Sequence, residues 1–135
     1  MKKYLIILIL LFSGFIMKAQ DNDETKADKI RDRMSSYIQE KLGLSKDEAD
    51  KFTPVFVRYF REFRQTHRDY KDDKLILKQK ILDLRIRYRT EFRTIMAEQK
   101  ANKVYVFEDQ FRKETLQYIE KQRDRVEQAT QRKNR

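Results

Sequence analysis

Apolar residues recur at helical spacing through four stretches of the chain, and nowhere do apolar and polar positions alternate for long. The pattern therefore predicts an all-α protein of four helices. The first runs from about Lys26 to Leu42, with Ile30, Met34 and Tyr37 on one face and Gly43 as its stop. Leu44-Ser45-Lys46-Asp47-Glu48 follows, in which Ser45 and Glu48 have capping-box spacing. The second helix then extends to about Tyr70. Phe52, Phe56, Tyr59, Phe63 and Tyr70 share one face, and Arg58, Arg61, Arg64 and Arg68 lie opposite. Pro54 falls inside this span, so a kink or short break is expected between Asp50 and Pro54. Lys71 to Lys74 reads as the turn into the third helix.

The third helix, from about Asp73 to Met96, carries two apolar stripes. At 100° per residue, Leu77, Ile81, Leu84, Tyr88, Phe92 and Ile95 fall in one sector. Nearly opposite lie Leu75, Leu82 and Ile86, mixed with Arg89 and Arg93. A small helical core needs one stripe, so the second is expected to meet another chain. The fourth helix, from about Glu98 to Thr130, has Val104, Phe107, Phe111, Tyr118 and Ile119 as its stripe. Thr94 to Gln99 holds neither glycine nor proline, so a single continuous third and fourth helix stays open beside two separate ones.

The amino terminus changes the picture of where this domain resides. Met1-Lys2-Lys3 precedes an apolar run from Tyr4 to Met17, and Ala19 stands near its exit. That is the layout of a secretory signal peptide over residues 1–20. The run has 14 residues, against the ~20 that span a bilayer; an uncleaved anchor is the alternative. The expected organisation is a signal peptide (1–20), a disordered segment (21–25), a helical domain (26–130) and a frayed end (131–135), with export to the periplasm. Without residues 1–20, and so without Lys2, Lys3 and Lys18, 29 basic residues face 22 acidic ones, a net of +7. No cysteine is present, which excludes both disulfide stapling and a lipid-anchored amino terminus. A small core without staples often borrows area from a second subunit, so a homodimer is expected.

Candidate chemistry is sparse. His67, the one histidine, falls at the edge of the aromatic face of the second helix, where packing suits it better than general-base work. No nucleophile motif, glycine-rich phosphate loop or His/Cys cluster for zinc occurs. Asp72-Asp73 and Glu108-Asp109 lack the spacing of a cation loop and read as solvated turn and surface. The sequence thus points away from an enzyme, a cofactor or a metal. Arg85, Arg87, Arg89 and Arg93, interleaved with Tyr88 and Phe92, have the composition of a nucleic-acid stacking surface. Export and the interspersed acids argue against nucleic acid as partner. The same residues suit unfolded polypeptide, through a charged fork for carboxylates and a flat face for aromatic rings. A solvated face of i to i+4 pairs is the plain alternative, and anionic membrane surface is a weaker one. The candidate binding residues are Leu75, Leu82, Arg85, Ile86, Arg89 and Arg93.

Leu44-Ser45-Lys46-Asp47-Glu48 resembles the first of the two Leu-Thr-x-x-Gln motifs of the Spy/CpxP family of periplasmic stress proteins, with serine for threonine and glutamate for glutamine. Ile95-Met96-Ala97-Glu98-Gln99 is similar to the second, with methionine at the threonine position. The positions that carry the motif are Leu44, Ser45 and Glu48, then Ile95 and Gln99. Phe52-Thr53-Pro54 and the run from Lys103 to Arg112 look like the variant often described as a sensor of extracytoplasmic-type sigma factor. The resemblance covers about residues 30 to 125. It implies a hairpin-like four-helix subunit in a cradle-shaped antiparallel dimer. It also implies one of two roles: ATP-independent holding of unfolded clients, or regulation by binding a membrane-bound stress sensor or anti-sigma factor.

Overall fold

The computed structural model describes residues 24–134, which are helical throughout apart from short turns and contain no strand. The expected signal peptide and residues 21–23 lie outside the described residues. Four helices follow in order: α1 (24–42), α2 (Lys46–Asp69), α3 (Lys74–Ile95) and α4 (Glu98–Lys133). Among the described residues no helix is long and apolar enough to cross a membrane. The all-α, four-helix expectation is met.

The chain divides into two units between Arg33 and Met34. In the first, residues 24–33 are helical, and Arg31 bridges Asp28 at 2.8 Å and Asp32 at 2.9 Å. Glu24 and Thr25, expected to be disordered, are already in α1. The second unit holds the core. Its share of α1 buries Met34, Ile38 and Leu42 along an i, i+4 line, with Tyr37 half-buried beside it. Ile30, placed on the buried face by the sequence, is exposed.

Local chemistry fixes where the helices stop and start. Gly43, at φ +59°, ends α1 in the left-handed region that side chains avoid. Its amide donates to Glu40 O and that of Leu44 to Gln39 O, both at 3.1 Å, which is a Schellman closure. Ser45 and Glu48 then form the expected capping box: Glu48 N donates to Ser45 Oγ at 3.2 Å, and Ser45 N donates to Glu48 Oε1 at 3.1 Å. Lys100 Nζ reaches both Glu48 Oε1 (3.2 Å) and Gly43 O (3.3 Å), tying the start of α4 to this corner. The Ser45 amide and Lys100 together hold the Glu48 carboxyl below its ordinary range.

The break expected within α2 is absent, and the helix runs unbroken through Pro54. Pro54 and Asp50 both lie on the exposed side, where water can satisfy the carbonyl that proline leaves without a donor. Phe52, Val55, Phe56, Tyr59, Phe60 and Phe63 are buried, while Tyr70 is the half-exposed C-cap. α3 lies antiparallel to α2: the rings of Phe52 and Phe92 are 5.3 Å apart and those of Tyr59 and Tyr88 5.4 Å. Ion pairs Arg58–Glu91 (2.7 Å) and Arg87–Glu62 (2.8 Å) flank this seam.

α3 and α4 are separate helices. Met96 is extended, at φ −138° and ψ 168°, and Ala97 opens α4 without any side-chain cap. Met96, which the resemblance aligned with a threonine, contributes burial instead of a hydroxyl. α4 continues to Lys133, beyond the Thr130 limit and into the stretch expected to fray. It buries Ala101, Val104 and Glu108 and nothing after them. Phe107 and Phe111 are half-buried, whereas Tyr118 and Ile119, expected in the stripe, are exposed.

Candidate binding face and the buried charge network

The two stripes of α3 have different fates. On the inner one, Leu84, Tyr88 and Phe92 are buried, and Leu77, Ile81 and Ile95 are half-exposed. On the outer one, Leu75, Leu82 and Ile86 are 79%, 58% and 47% exposed. Three aliphatic side chains thus stand in water along one strip of a helix, separated by seven and four residues. Arg89 lies beside them, half-exposed. Arg93 also lies there, but its guanidinium is engaged by Glu98 at 3.1 Å and Asn102 at 3.2 Å across the turn into α4.

Arg85 does not belong to that face. Its guanidinium turns inward and pairs with Glu108, and with Asp109 through two hydrogen bonds of 2.6 and 3.3 Å. Its Nε donates to the Tyr59 hydroxyl at 3.3 Å, and Tyr105 donates to its backbone carbonyl at 2.7 Å. Burial works against the Arg85 charge, but the hydrogen bonds it donates to Asp109 and the nearby Glu108 carboxylate outweigh it and hold its pKa above the ordinary value. Four of its five N–H groups are thus engaged within the subunit, which leaves Arg85 little to offer a partner chain. The physical reason is a carboxylate on α4 that the sequence reading placed on the surface.

That carboxylate is Glu108, whose side chain is completely buried. Tyr59 donates to its Oε1 at 2.8 Å, and Arg112 stands 3.8 Å from its Oε2, an ion-pair separation without a hydrogen bond. Arg112 in turn lies 4.1 Å over the Phe63 ring. Burial, then the Glu108 charge, raises the pKa of both Tyr59 and Tyr105, so both stay protonated as donors. Tyr88, which donates to Glu62 at 2.6 Å, is pushed up to about 12 by burial and that carboxylate. The network joins α2, α3 and α4 at one level and fixes their register. Its signal in the sequence is a glutamate in the apolar line Ala101, Val104, Glu108, Phe111, where a solvated acid has no place.

His67, expected at the edge of the α2 aromatic face, packs tilted against Phe63 with ring centroids 4.6 Å apart. Burial and the neighbouring Arg112 lower its pKa, which favours the neutral ring near pH 7. Of the motif positions, Ser45 and Glu48 form a working cap with Leu44 half-buried beside them, and Ile95 is half-buried. Gln99 is exposed and caps nothing. Asp73 is the N-cap of α3, accepting from Ile76 N at 3.1 Å. Among the described residues no group of three or more His, Cys, Asp or Glu side chains could hold a metal. Compared with protein-family models, with curated proteins and with solved structures, the chain gives no match.

Proposed function

We propose that this protein is an exported, ATP-independent chaperone-like protein that holds unfolded or damaged envelope proteins, working as a homodimer in the periplasm. The observation that supports this reading is the outer strip of α3, where Leu75, Leu82 and Ile86 are exposed in line with Arg89. Shallow apolar area takes up client side chains without a closed pocket, and positive charge speeds the first encounter. The resemblance of Leu44-Ser45-Lys46-Asp47-Glu48 to the Spy/CpxP motif points the same way. The contact set is Leu75, Leu82, Ile86 and Arg89, with Arg93 at its edge.

The test is suppression of aggregation of a chemically denatured client, with oligomeric state measured in the same samples. Leu82→Ser with Ile86→Ser should weaken holding or dimerisation while leaving the helical circular dichroism unchanged. Arg89→Glu should mainly slow capture and alter its salt dependence, since such charges act chiefly on encounter. If both variants stay folded, dimeric and fully active, the strip is solvated surface and the proposal fails. A pull-down from envelope extract separates the regulatory alternative: one stoichiometric membrane protein would mark a stress-sensor ligand instead of a general holder.

A further inference from the structure

A second surface of α3, which shares only Leu82 with the outer strip, lies where its inner stripe runs past the end of its cover. Between the C-terminal part of α2, the first half of α3 and Asp109 of α4 is an open groove of about 670 Å³, within the ~300–1,000 Å³ typical of small-molecule sites. Phe63 and His67 from α2 and Leu77 and Ile81 from α3 form its floor, and Leu82 stands at one lip. Lys74 and Lys78 line the end nearest the start of α3.

The charges along this groove are unequal. At one end Arg85 is held by both Asp109 and the buried Glu108, so no uncompensated positive charge stands there. At the other, Lys74 and Lys78 sit one turn apart on the same helix face, and neither has an ion-pair partner among the described residues. The first turn of α3 holds no acidic residue, and the Asp73 cap is occupied by the Ile76 amide. The Asp73 carboxylate offsets the positive end of the helix dipole, so the attraction for an anion rests on the two ammonium groups. The floor itself stays uncharged, because burial and Arg112 favour the neutral form of His67.

We infer that this groove binds a free single-chain anionic amphiphile of the fatty-acid class, its carboxylate between Lys74 and Lys78 and its alkyl chain along Phe63, Leu77 and Ile81. From midway between Lys74 and Lys78 to Arg85 is about 13 Å along α3 at ~1.5 Å per residue, which sets the length of alkyl chain the floor can cover. The Arg85–Asp109 pair closes the far end with a compensated dipole, and the Asp109 carboxylate there disfavours a second anionic group, so the ligand enters in one orientation. The chemistry needs one negative head and one tail. It is independent of the client-holding reading, since its key residues are not those of the outer strip.

The test uses the purified protein and dodecanoate below its micellar concentration, followed by titration calorimetry and by displacement of a dansyl-labelled undecanoate probe. Saturable binding of one dodecanoate per chain is expected, with dodecyltrimethylammonium failing to displace the probe. Lys74→Glu with Lys78→Glu should weaken dodecanoate at least tenfold, and Ile81→Glu should do the same with helicity unchanged. Leu75→Glu, outside the groove, should leave dodecanoate binding as it was. Equal binding of the anionic and cationic amphiphiles, or undiminished binding by the lysine variant, would overturn the inference. So would binding only to phosphatidylglycerol vesicles with no response to free dodecanoate, which would mark a membrane surface. Loss of self-association in the Ile81 variant, with no dodecanoate bound by the parent, would mark a second copy of the chain as the occupant. Aggregation suppression in the lysine variant should match that of the parent, which keeps this result separate from the fate of the holding proposal.

Discussion

At one end of the α2–α3 hairpin, Leu84, Tyr88 and Phe92 are sealed; at the other, Leu77 and Ile81 continue the same stripe and stay half-exposed. The two halves have the same periodicity and nearly the same apolar content, so local pattern does not separate them. The separation comes from α4, which buries Ala101, Val104 and Glu108 and no residue beyond. Arg85, Glu108 and Asp109 stand at the boundary between sealed and open. A helical stripe becomes core only where a third element covers it, and where cover ends the same residues become a groove.

The sharpest way to break this comparison is to truncate one residue on each side of the boundary. Phe92→Ala should cost about 3–5 kcal/mol in urea unfolding, because it leaves a cavity in a sealed site. Leu77→Ala should cost about 1 kcal/mol or less, since its side chain already meets water. Equal losses would mean that the open half is covered in solution.

The boundary can be tested next. Arg85→Met leaves Glu108 buried with its strongest partner gone and should cost about 3 kcal/mol. Adding Glu108→Met should recover part of that loss, because an apolar pair of similar volume carries no desolvation penalty. A double variant less stable than the single one would show that Tyr59 and Arg112 need Glu108 more than Glu108 needs Arg85.

The two helix starts repeat the contrast on a smaller scale, one capped and one bare. Ser45→Ala should cost about 1 kcal/mol. Ala97→Ser should add roughly 0.5–1 kcal/mol by supplying the cap that α4 lacks. Thermal melts of the two variants check both signs.

The smallest effect is one of pH. The folded state lowers the His67 pKa from its usual 6.5, so the unfolded chain binds that proton more readily. Stability contributed by the neutral ring is therefore full above 6.5 and falls as the pH drops through that value. His67→Gln should flatten this part of the melting temperature against pH between about 7.5 and 5. An unchanged profile would show that His67 is not the group responsible.

Much of the fold was legible because its causes are local. The glycine stop at Gly43, the Ser45–Glu48 box and the aromatic face of α2 depend on residues within a turn or two of each other. The second stripe of α3 was legible for the same reason: Leu75, Leu82 and Ile86 are exposed, whereas Arg85, a candidate from the neighbouring arginine run, turns inward. Pro54 misled the reading because its effect depends on which side of the helix faces water. Tyr118 and Ile119 misled it because periodicity says which residues share a face and not whether anything lies against them.

The sequence by itself determined the helices, most of their ends and the two faces of α3, since each follows from backbone hydrogen bonding and a 3.6-residue period. Only the tertiary structure decided that Met96 would divide α3 from α4 by burial, that Glu108 would be an interior acid, and that Arg85 would serve it. The last two outcomes depend on groups 23 to 49 residues apart in sequence. A buried charge is tolerable only where distant partners meet it, and no spacing along a single helix records that meeting.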